Sequence, residues 1–250
     1  MKQIVITPAA GKRLIGKGMV IHPLLTTALK SATVVITGGT TNGYVAEEIL
    51  GSIDAQEAFP RMHFFRGTTT PPGYTFPKIE DRYMGDVVIV RGVWQKGKTI
   101  SEAAESLKEG DFIIKGANAL DLTGRQAAIL IGNPSGGTVM MLIQASIGKR
   151  VGLILPVGLE KRVYGDLNSL ATKVNSPGGS GLRLMPVAGH VFTEIDAISL
   201  LTGANADLIG SGGVCGAEGA YWFAITGTPE QEDKAEKLLK SIATEPAFKL

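Results

Sequence analysis

The sequence has few of the features that mark a secreted, membrane-spanning or nucleic-acid-binding protein. Cys215 is the single cysteine in 250 residues, so no disulfide can form within the chain, and a reducing compartment is the simplest expectation. No apolar stretch reaches the length of a membrane span, and the apolar run after Met1 is too short for a signal peptide. The net charge of +2 is too small to indicate nucleic acid or an acidic membrane surface as a partner. We therefore expect a cytoplasmic protein that binds neither membrane nor nucleic acid.

Side chains that bind metals are also scarce. The three histidines, His22, His63 and His190, are scattered and have no ligand spacing with Cys215, so neither a metal site nor another cofactor is expected. Cys215 lies near glycines with no visible cation to activate its thiol, which favours an inert side chain and leaves a role for it open.

Glycine, by contrast, is abundant, with 33 residues that cluster between apolar segments. Together with 44% hydrophobic and 19% charged residues, this composition is typical of a globular α/β protein with many tight strand-to-helix turns. Apolar runs that indicate strands alternate with segments of helical spacing, which favours a mostly parallel sheet. The predicted strands are residues 33–37, 61–67, 86–91, 111–116, 151–157, 182–187, 206–211 and 220–226. The predicted helices lie within residues 8–30, 44–50, 99–108, 138–147, 194–201 and 229–242, and residues 68–81 are predicted to form a loop.

This alternation predicts a three-layer, Rossmann-like α/β fold. Residues 1–175 are predicted to form a ligand-binding core. Residues 176–250 are predicted to form either a small α+β subdomain or an extension of the main sheet. The helix predicted at residues 138–147 is apolar nearly all round, so we expect it to be buried.

One strand–turn–helix segment has the pattern of an anion site. The apolar residues 33–37 end in Gly38, Gly39, Thr40, Thr41 and Asn42, and helical spacing resumes at Tyr44. Free backbone N–H groups at a helix start, with hydroxyl groups beside them, suit an anion such as a phosphate. A tight strand-to-helix turn without a ligand is the alternative, because glycine is common in such turns whether or not they bind a ligand.

A second strand end is predicted to face the same crevice. Ligands gather at the carboxyl ends of parallel strands, and Lys115, Gly116 and Asn118 follow the predicted strand at 111–116 much as Gly38 follows its own. Asp121 would orient a ligand hydroxyl or, as we favour, cap a turn. Lys161 would reach an anionic group or remain in solvent.

Two further features leave two interpretations open, and a third feature is a glutamate between glycines. Ser135, Gly136 and Gly137 would form a second small nest of N–H groups or simply cap the helix that follows. The loop that begins at Arg66, together with Arg91 and Trp94, would form a ligand clamp or an ordinary exposed loop. Glu218 is the only glutamate flanked by glycines at this spacing, in Gly216-Ala217-Glu218-Gly219.

Two of these segments together resemble a known superfamily. It includes ribose-5-phosphate isomerase A, glucosamine-6-phosphate deaminase, the coenzyme A transferases and the sugar-phosphate-sensing domains of bacterial repressors. The Gly38–Asn42 turn is similar to its phosphate loop, and residues 112–121 are similar to its strand ending in G-A-D/N-x-[IV]-D. The segment Gly158-Leu159-Glu160-Lys161 stands where the isomerase has an acidic-to-lysine segment. The resemblance covers roughly residues 33–161 and implies a divergent member with a site for a small phosphorylated metabolite.

The sequence departs from the isomerase pattern at the groups that would transfer protons. Lys115 stands in place of the first acid of the isomerase segment D-G-A-D-E, and Asn118 stands in place of the second. Residues 138–144 contain no carboxylate, although the isomerase has its general base in the corresponding helix. The resemblance therefore argues against ribose-5-phosphate isomerase activity by that mechanism. Glu218 does not match the context of the glutamate nucleophile of the coenzyme A transferases.

The prediction is a protein that binds a small phosphorylated or otherwise anionic metabolite at the Gly38–Asn42 turn, and, if it catalyses a reaction, the chemistry expected is isomerase- or hydrolase-like. A non-catalytic metabolite sensor, a coenzyme A ester-binding protein and a subunit that acts only in a homo-oligomer are the alternatives. The catalytic candidates are Lys115, Asp121, Lys161 and Glu218. The candidates for ligand binding are Gly38, Gly39, Thr40, Thr41, Asn42, Lys115, Gly116, Asn118, Ser135, Gly136 and Gly137.

Overall fold

The computed structural model describes residues 1–55, 59–75 and 85–249, and within these ranges the chain is a mixed α/β protein with eight α-helices and three β-sheets. The strands are β1 (Lys2–Ile6), β2 (Thr33–Ile36), β3 (Val87–Val90), β4 (Val93–Trp94), β5 (Phe112–Ile114), β6 (Ala119–Asp121), β7 (Gln126–Ile131), β8 (Gly152–Pro156), β9 (Arg183–Val187), β10 (His190–Phe192), β11 (Asn205–Gly212) and β12 (Ala220–Thr226). The α-helices are α1 (Pro8–Val20), α2 (Pro23–Ser31), α3 (Thr40–Ser52), α4 (Ile100–Ala103), α5 (Thr138–Ile143), α6 (Leu167–Val174), α7 (Glu194–Thr202) and α8 (Pro229–Ile242). None of the helices in these ranges has the length and apolar character needed to cross a membrane.

The largest sheet has six strands in the order β10-β8-β5-β2-β3-β4. The first four are parallel to one another, whereas β3 and β4 are antiparallel to their neighbours, so the prediction of a mostly parallel sheet is confirmed. Val34, Val35 and Ile36 of β2 are all fully buried, as expected for a central strand that is covered on both faces. Ile36 pairs with Ile114, so β2 and β5 end side by side at one edge of the sheet.

Two smaller antiparallel sheets complete the fold, with strand orders β1-β12-β11 and β6-β7-β9. Strands from beyond residue 176 pair with strands from before it in all three sheets. These pairs are β9 with β7, β10 with β8, and β12 with β1. Three strand pairings therefore cross the boundary predicted near residue 175.

Glycines bring α1 close to its neighbours. A Cβ atom at Gly16 would lie 2.9 Å from the carbonyl oxygen of Tyr44 in α3. A Cβ atom at Gly18 would lie 2.9 Å from the ring of Phe192 at the end of β10. Real Cβ atoms do not approach other atoms so closely, so these glycines allow α1 to pack directly on α3 and on the main sheet.

Residues 8–30, where the sequence predicts helix, contain two helices that are divided before a proline, because α1 ends at Val20 and α2 begins at Pro23. The prediction of a strand at residues 61–67 is wrong. Residues Arg61–His63 form a short 3₁₀ turn in which the N–H of Phe64 donates to the carbonyl of Arg61 at 3.2 Å. The guanidinium of Arg61 lies 4.1 Å from the centre of the Tyr44 ring, so this segment packs on α3 instead of extending a sheet.

Other sequence predictions need adjustment. The helix expected to be buried at 138–147 ends at Ile143 and continues as a π turn, and the side chains of Met140 and Ile147 are 43% and 70% exposed. The helix expected at 99–108 has α-helical geometry only over Ile100–Ala103. The part of the predicted loop 68–81 that lies beyond residue 75 falls outside the described residues.

Candidate functional site

A cavity of about 470 Å³ opens at the carboxyl ends of β2 and β5. Because these strands are parallel neighbours, the residues that follow them, Gly38 and Lys115, leave the sheet at the same edge. The cavity is bordered by the start of α3, the loop at residues 66–69, the segment after β5 and residues 160–163 after β8. Its cationic side chains are Lys12, Arg66, Lys115, Lys161 and Arg162.

The start of α3 presents backbone N–H groups to this cavity. Thr40 and Thr41 line it, and their N–H groups lie in the first turn, where no carbonyl of the same helix can accept them. The N–H of Gly38 is already bonded to Asp86 Oδ1 at 3.0 Å, and the N–H of Gly39 to the carbonyl of Phe64 at 3.2 Å. The N–H groups able to bind an anion therefore belong to the helix and not to the two glycines. The positive end of the helix dipole adds to their attraction for an anion.

Asn42 holds the turn in place but lies outside the cavity lining. Its side chain is fully buried, and its Nδ2 donates to the carbonyl of Thr37 at 2.8 Å and to that of Ile114 at 3.0 Å. These two bonds join the start of α3 to the ends of β2 and β5. Asn42 thus positions the cavity wall.

Lys115 has an uncompensated amine. It is only partly exposed, and among the described residues its Nζ has neither a hydrogen-bond acceptor nor a carboxylate within 4.0 Å. Burial, followed by the nearby charge of Lys161, lowers the pKa of Lys115 to about 8. Lys161 is different because its Nζ donates to the carbonyl of Ala117 at 2.8 Å, although burial also lowers its pKa.

Arg66 lies against the glycine turn. A Cβ atom at Gly38 would be only 3.3 Å from Arg66 Cγ. The guanidinium forms a salt bridge of 3.0 Å with Asp86, whose carboxylate is fully buried and also accepts the N–H of Ile100 at 2.8 Å. Asp86 therefore fixes both the turn and the arginine that covers it.

Glu160 is the carboxylate that lines the cavity in the described part of the chain. Lys12 Nζ lies 3.2 Å from its Oε1, and the hydroxyl of Tyr221 donates to its Oε2. Burial opposes ionisation of Glu160, but Lys12, Lys161 and this hydrogen bond outweigh it and hold its pKa below the ordinary value. Burial and the two nearby glutamates raise the pKa of Tyr221, so the phenol stays protonated.

Behind Glu160 lies a second, fully buried carboxyl group. Glu194 accepts the N–H of Leu159 at 3.0 Å through Oε2, whereas its Oε1 has no hydrogen-bond partner among the described residues. Burial, and then the charge of Glu160, raise the pKa of Glu194. A Cβ atom at Gly11 would lie 2.6 Å from Oε1, so the glycine in α1 leaves room for this group. The cluster of Lys12, Glu160, Glu194 and Tyr221 is called the carboxylate cluster below.

The cavity brings together most, but not all, of the residues singled out in the sequence. Those that line it are Gly38, Gly39, Thr40, Thr41, Lys115, Gly116, Asn118 and Lys161. Those outside its lining are Asn42, Asp121, Ser135, Gly136, Gly137 and Glu218.

Local hydrogen bonds account for the residues outside the lining. Asp121 accepts the N–H of Gly124 at 2.9 Å and so caps a turn. The N–H of Ser135 donates to Asn133 Oδ1 at 2.8 Å in an exposed turn before α5. Glu218 is exposed and accepts the N–H of Gly216 at 3.0 Å.

The sequence did not single out Lys12, Glu160 or Arg162 as site residues, and it singled out Arg66 only within a loop. Glu160 lies in one of the segments that resemble the superfamily, and this resemblance is the one feature of the sequence that indicated it. Lys12 had no local signal, because it reaches the cavity only through the packing of α1.

Across residues 1–55, 59–75 and 85–249, no three histidine, cysteine, aspartate or glutamate side chains are grouped so that they could hold a metal ion. Comparisons with protein-family models, with curated proteins and with solved structures give no match for this chain. The superfamily resemblance therefore stays a prediction.

Proposed function

We propose that the protein binds a small phosphorylated or otherwise anionic metabolite in this cavity. The observation that carries the proposal is an excess of positive charge around one concave site. Five cationic side chains and the start of α3 face it, against the single lining carboxylate of Glu160 in the described residues. A volume of about 470 Å³ lies within the usual range for a small-molecule site.

Charge pairing within the cavity narrows the ligand class. Arg66 is paired with Asp86, and Lys12 with Glu160. Among the described residues, Lys115, Lys161 and Arg162 have no carboxylate within 4.0 Å. A phosphate at the first turn of α3 would receive N–H bonds and compensate these charges together, so a phosphate ester fits better than a neutral compound.

The carboxylate cluster favours an enzyme that transfers a proton, as in an isomerase- or hydrolase-like reaction on a sugar phosphate. Glu160 is ionised, lines the cavity and accepts a hydrogen bond from Tyr221, so it is the carboxylate placed to accept a proton from a bound ligand, although its lowered pKa makes it a weak base. This carboxylate comes from the segment after β8 and not from α5, where the resemblance placed the base of the isomerase.

A thermal-shift panel tests the proposal. It contains inorganic phosphate, sugar phosphates, nucleotides and coenzyme A esters. A ligand at 100 times its Kd stabilises the native state by about 2.7 kcal/mol, which in a chain of this size raises Tm by about 5–10 °C. The double substitution Thr40→Val with Lys115→Ala is expected to abolish that shift.

Lys173→Ala is the matched control, because this lysine is exposed on α6 and outside the cavity lining. It should leave the shift unchanged. If no phosphorylated compound raises Tm, the anion site is contradicted. For a compound that does, product analysis after incubation separates an enzyme from a non-catalytic sensor.

A further inference from the structure

The lysine after β5 has the setting of a nucleophile and not only that of an anion-binding group. Lys115 lies in the same cavity as the start of α3, on the strand directly beside β2. Its Nζ has no partner among the described residues, whereas Lys161 Nζ donates to a carbonyl at 2.8 Å. The amine of Lys115 is therefore the one of this pair that is free to react.

The surroundings also favour its uncharged form. Burial and the charge of Lys161 lower the pKa of Lys115 to about 8, so about one molecule in ten carries a neutral amine at pH 7. A neutral lysine amine attacks carbonyl carbon, and desolvation beside another cation is a known way of activating it.

We propose that Lys115 forms a Schiff base with the carbonyl carbon of a phosphorylated aldehyde or ketone. This proposal rests on the proposed function, because the phosphate of the same molecule is held at the start of α3. Neighbouring strands are about 4.8 Å apart, so the phosphate and the carbonyl of one short carbon chain can reach the two strand ends together.

The step is balanced without an oxidant or reductant. The amine nitrogen attacks the carbonyl carbon, the C–O double bond becomes a single bond, and the oxygen takes up a proton from water in the cavity to give a carbinolamine. The nitrogen loses a proton, and the hydroxyl then leaves as water while the C–N double bond forms. Glu160, the carboxylate in the described lining of the same cavity, accepts the proton from nitrogen through a water molecule and returns it to the departing hydroxyl, which leaves a protonated Schiff base.

Reductive trapping tests the proposal. The protein is incubated with glyceraldehyde 3-phosphate or dihydroxyacetone phosphate and sodium cyanoborohydride, and the adduct is located by intact-mass and peptide mass spectrometry. We expect a single adduct on Lys115, reduced at least tenfold by excess glycerol 3-phosphate, which has the phosphate but no carbonyl.

Two variants serve as controls. Lys115→Arg keeps the positive charge, so it should still be stabilised by glycerol 3-phosphate in a thermal shift, which also shows that it is folded, but should give no adduct at the site. Lys173→Arg, at an exposed position outside the cavity lining, should retain the adduct on Lys115.

Stabilisation by glycerol 3-phosphate without an adduct on Lys115 would overturn the Schiff base and leave the anion site standing. An adduct on Lys161, or adducts spread evenly over surface lysines, would also overturn it. Neither stabilisation nor an adduct would overturn both this inference and the proposed function.

Discussion

Replacing Lys115 with methionine is expected to stabilise the unliganded protein. Burial and the charge of Lys161 lower the pKa of Lys115 from 10.5 to about 8. Each pKa unit corresponds to about 1.4 kcal/mol, so the charged amine disfavours the folded state by about 3 kcal/mol at neutral pH. Lys115 is partly exposed, and water in the cavity screens its charge. We therefore expect Lys115→Met to raise the free energy of unfolding by about 1–2 kcal/mol at pH 7.

The gain should depend on pH with a defined sign. The folded-state pKa is below that of the unfolded chain, so between pH 8 and 10.5 the unfolded state binds more protons. The wild type therefore gains stability across this window as its amine loses its proton. The advantage of Lys115→Met should shrink at pH 10.

Urea unfolding at pH 7 and pH 10 measures both effects. Lys173→Met, on the exposed face of α6, is the control and should change stability by less than about 0.5 kcal/mol at either pH. The reasoning is refuted if Lys115→Met is less stable than the wild type at pH 7. An equal difference at the two pH values would also refute it, because a charge effect must disappear with the charge.

Three further substitutions test the surroundings of the cavity. Asn42→Ala should lower the unfolding free energy by about 2 kcal/mol in urea unfolding, because it removes the side-chain donor to the carbonyl of Thr37 and one of the donors to that of Ile114. Glu194→Gln should flatten the pH dependence of stability above pH 4.5. Folding raises the pKa of Glu194, so its carboxyl group contributes stability at low pH, and this contribution is lost as the pH rises through the folded-state pKa. His22→Gln should flatten the pH dependence of stability below pH 6.5. Burial and then the charge of His190 lower the pKa of His22, so the stability contributed by the neutral imidazole is lost as the pH falls below 6.5. Urea midpoints between pH 4.5 and 8.5 decide both cases, and profiles parallel to that of the wild type would contradict these assignments.

The part of the site that the sequence predicted depends on local signals. The apolar run of β2, the glycines after it and the apolar run of β5 are all visible within short windows. The rule that parallel strands end at one edge of a sheet then places the start of α3 near Lys115. The structure agrees because β2 and β5 are direct neighbours.

Two of the other candidate residues follow strands that lie outside the main sheet. Asp121 ends β6 and Ser135 follows β7, and these two strands form a separate antiparallel sheet with β9. A short apolar run reads the same in either sheet, so no local pattern told these strands apart from the parallel ones. The carboxylate cluster is non-local in the same sense. Lys12 and Tyr221 meet through the pairing of β1 with β12, whose residues are more than 200 positions apart in the chain.

The carboxylate cluster is also the strongest argument for chemistry over simple binding. If the cavity only bound an anion, Glu160 would lower its affinity, because a carboxylate in the lining repels the ligand that the cations attract. Glu160 in turn makes ionisation of the buried Glu194 more unfavourable. Both effects oppose stability or affinity, whereas an ionised carboxylate in the same cavity as an unpaired lysine amine suits proton transfer at a carbonyl group. The presence of Lys115 and Glu160 in one cavity is therefore the reason that we propose an enzyme and not a sensor.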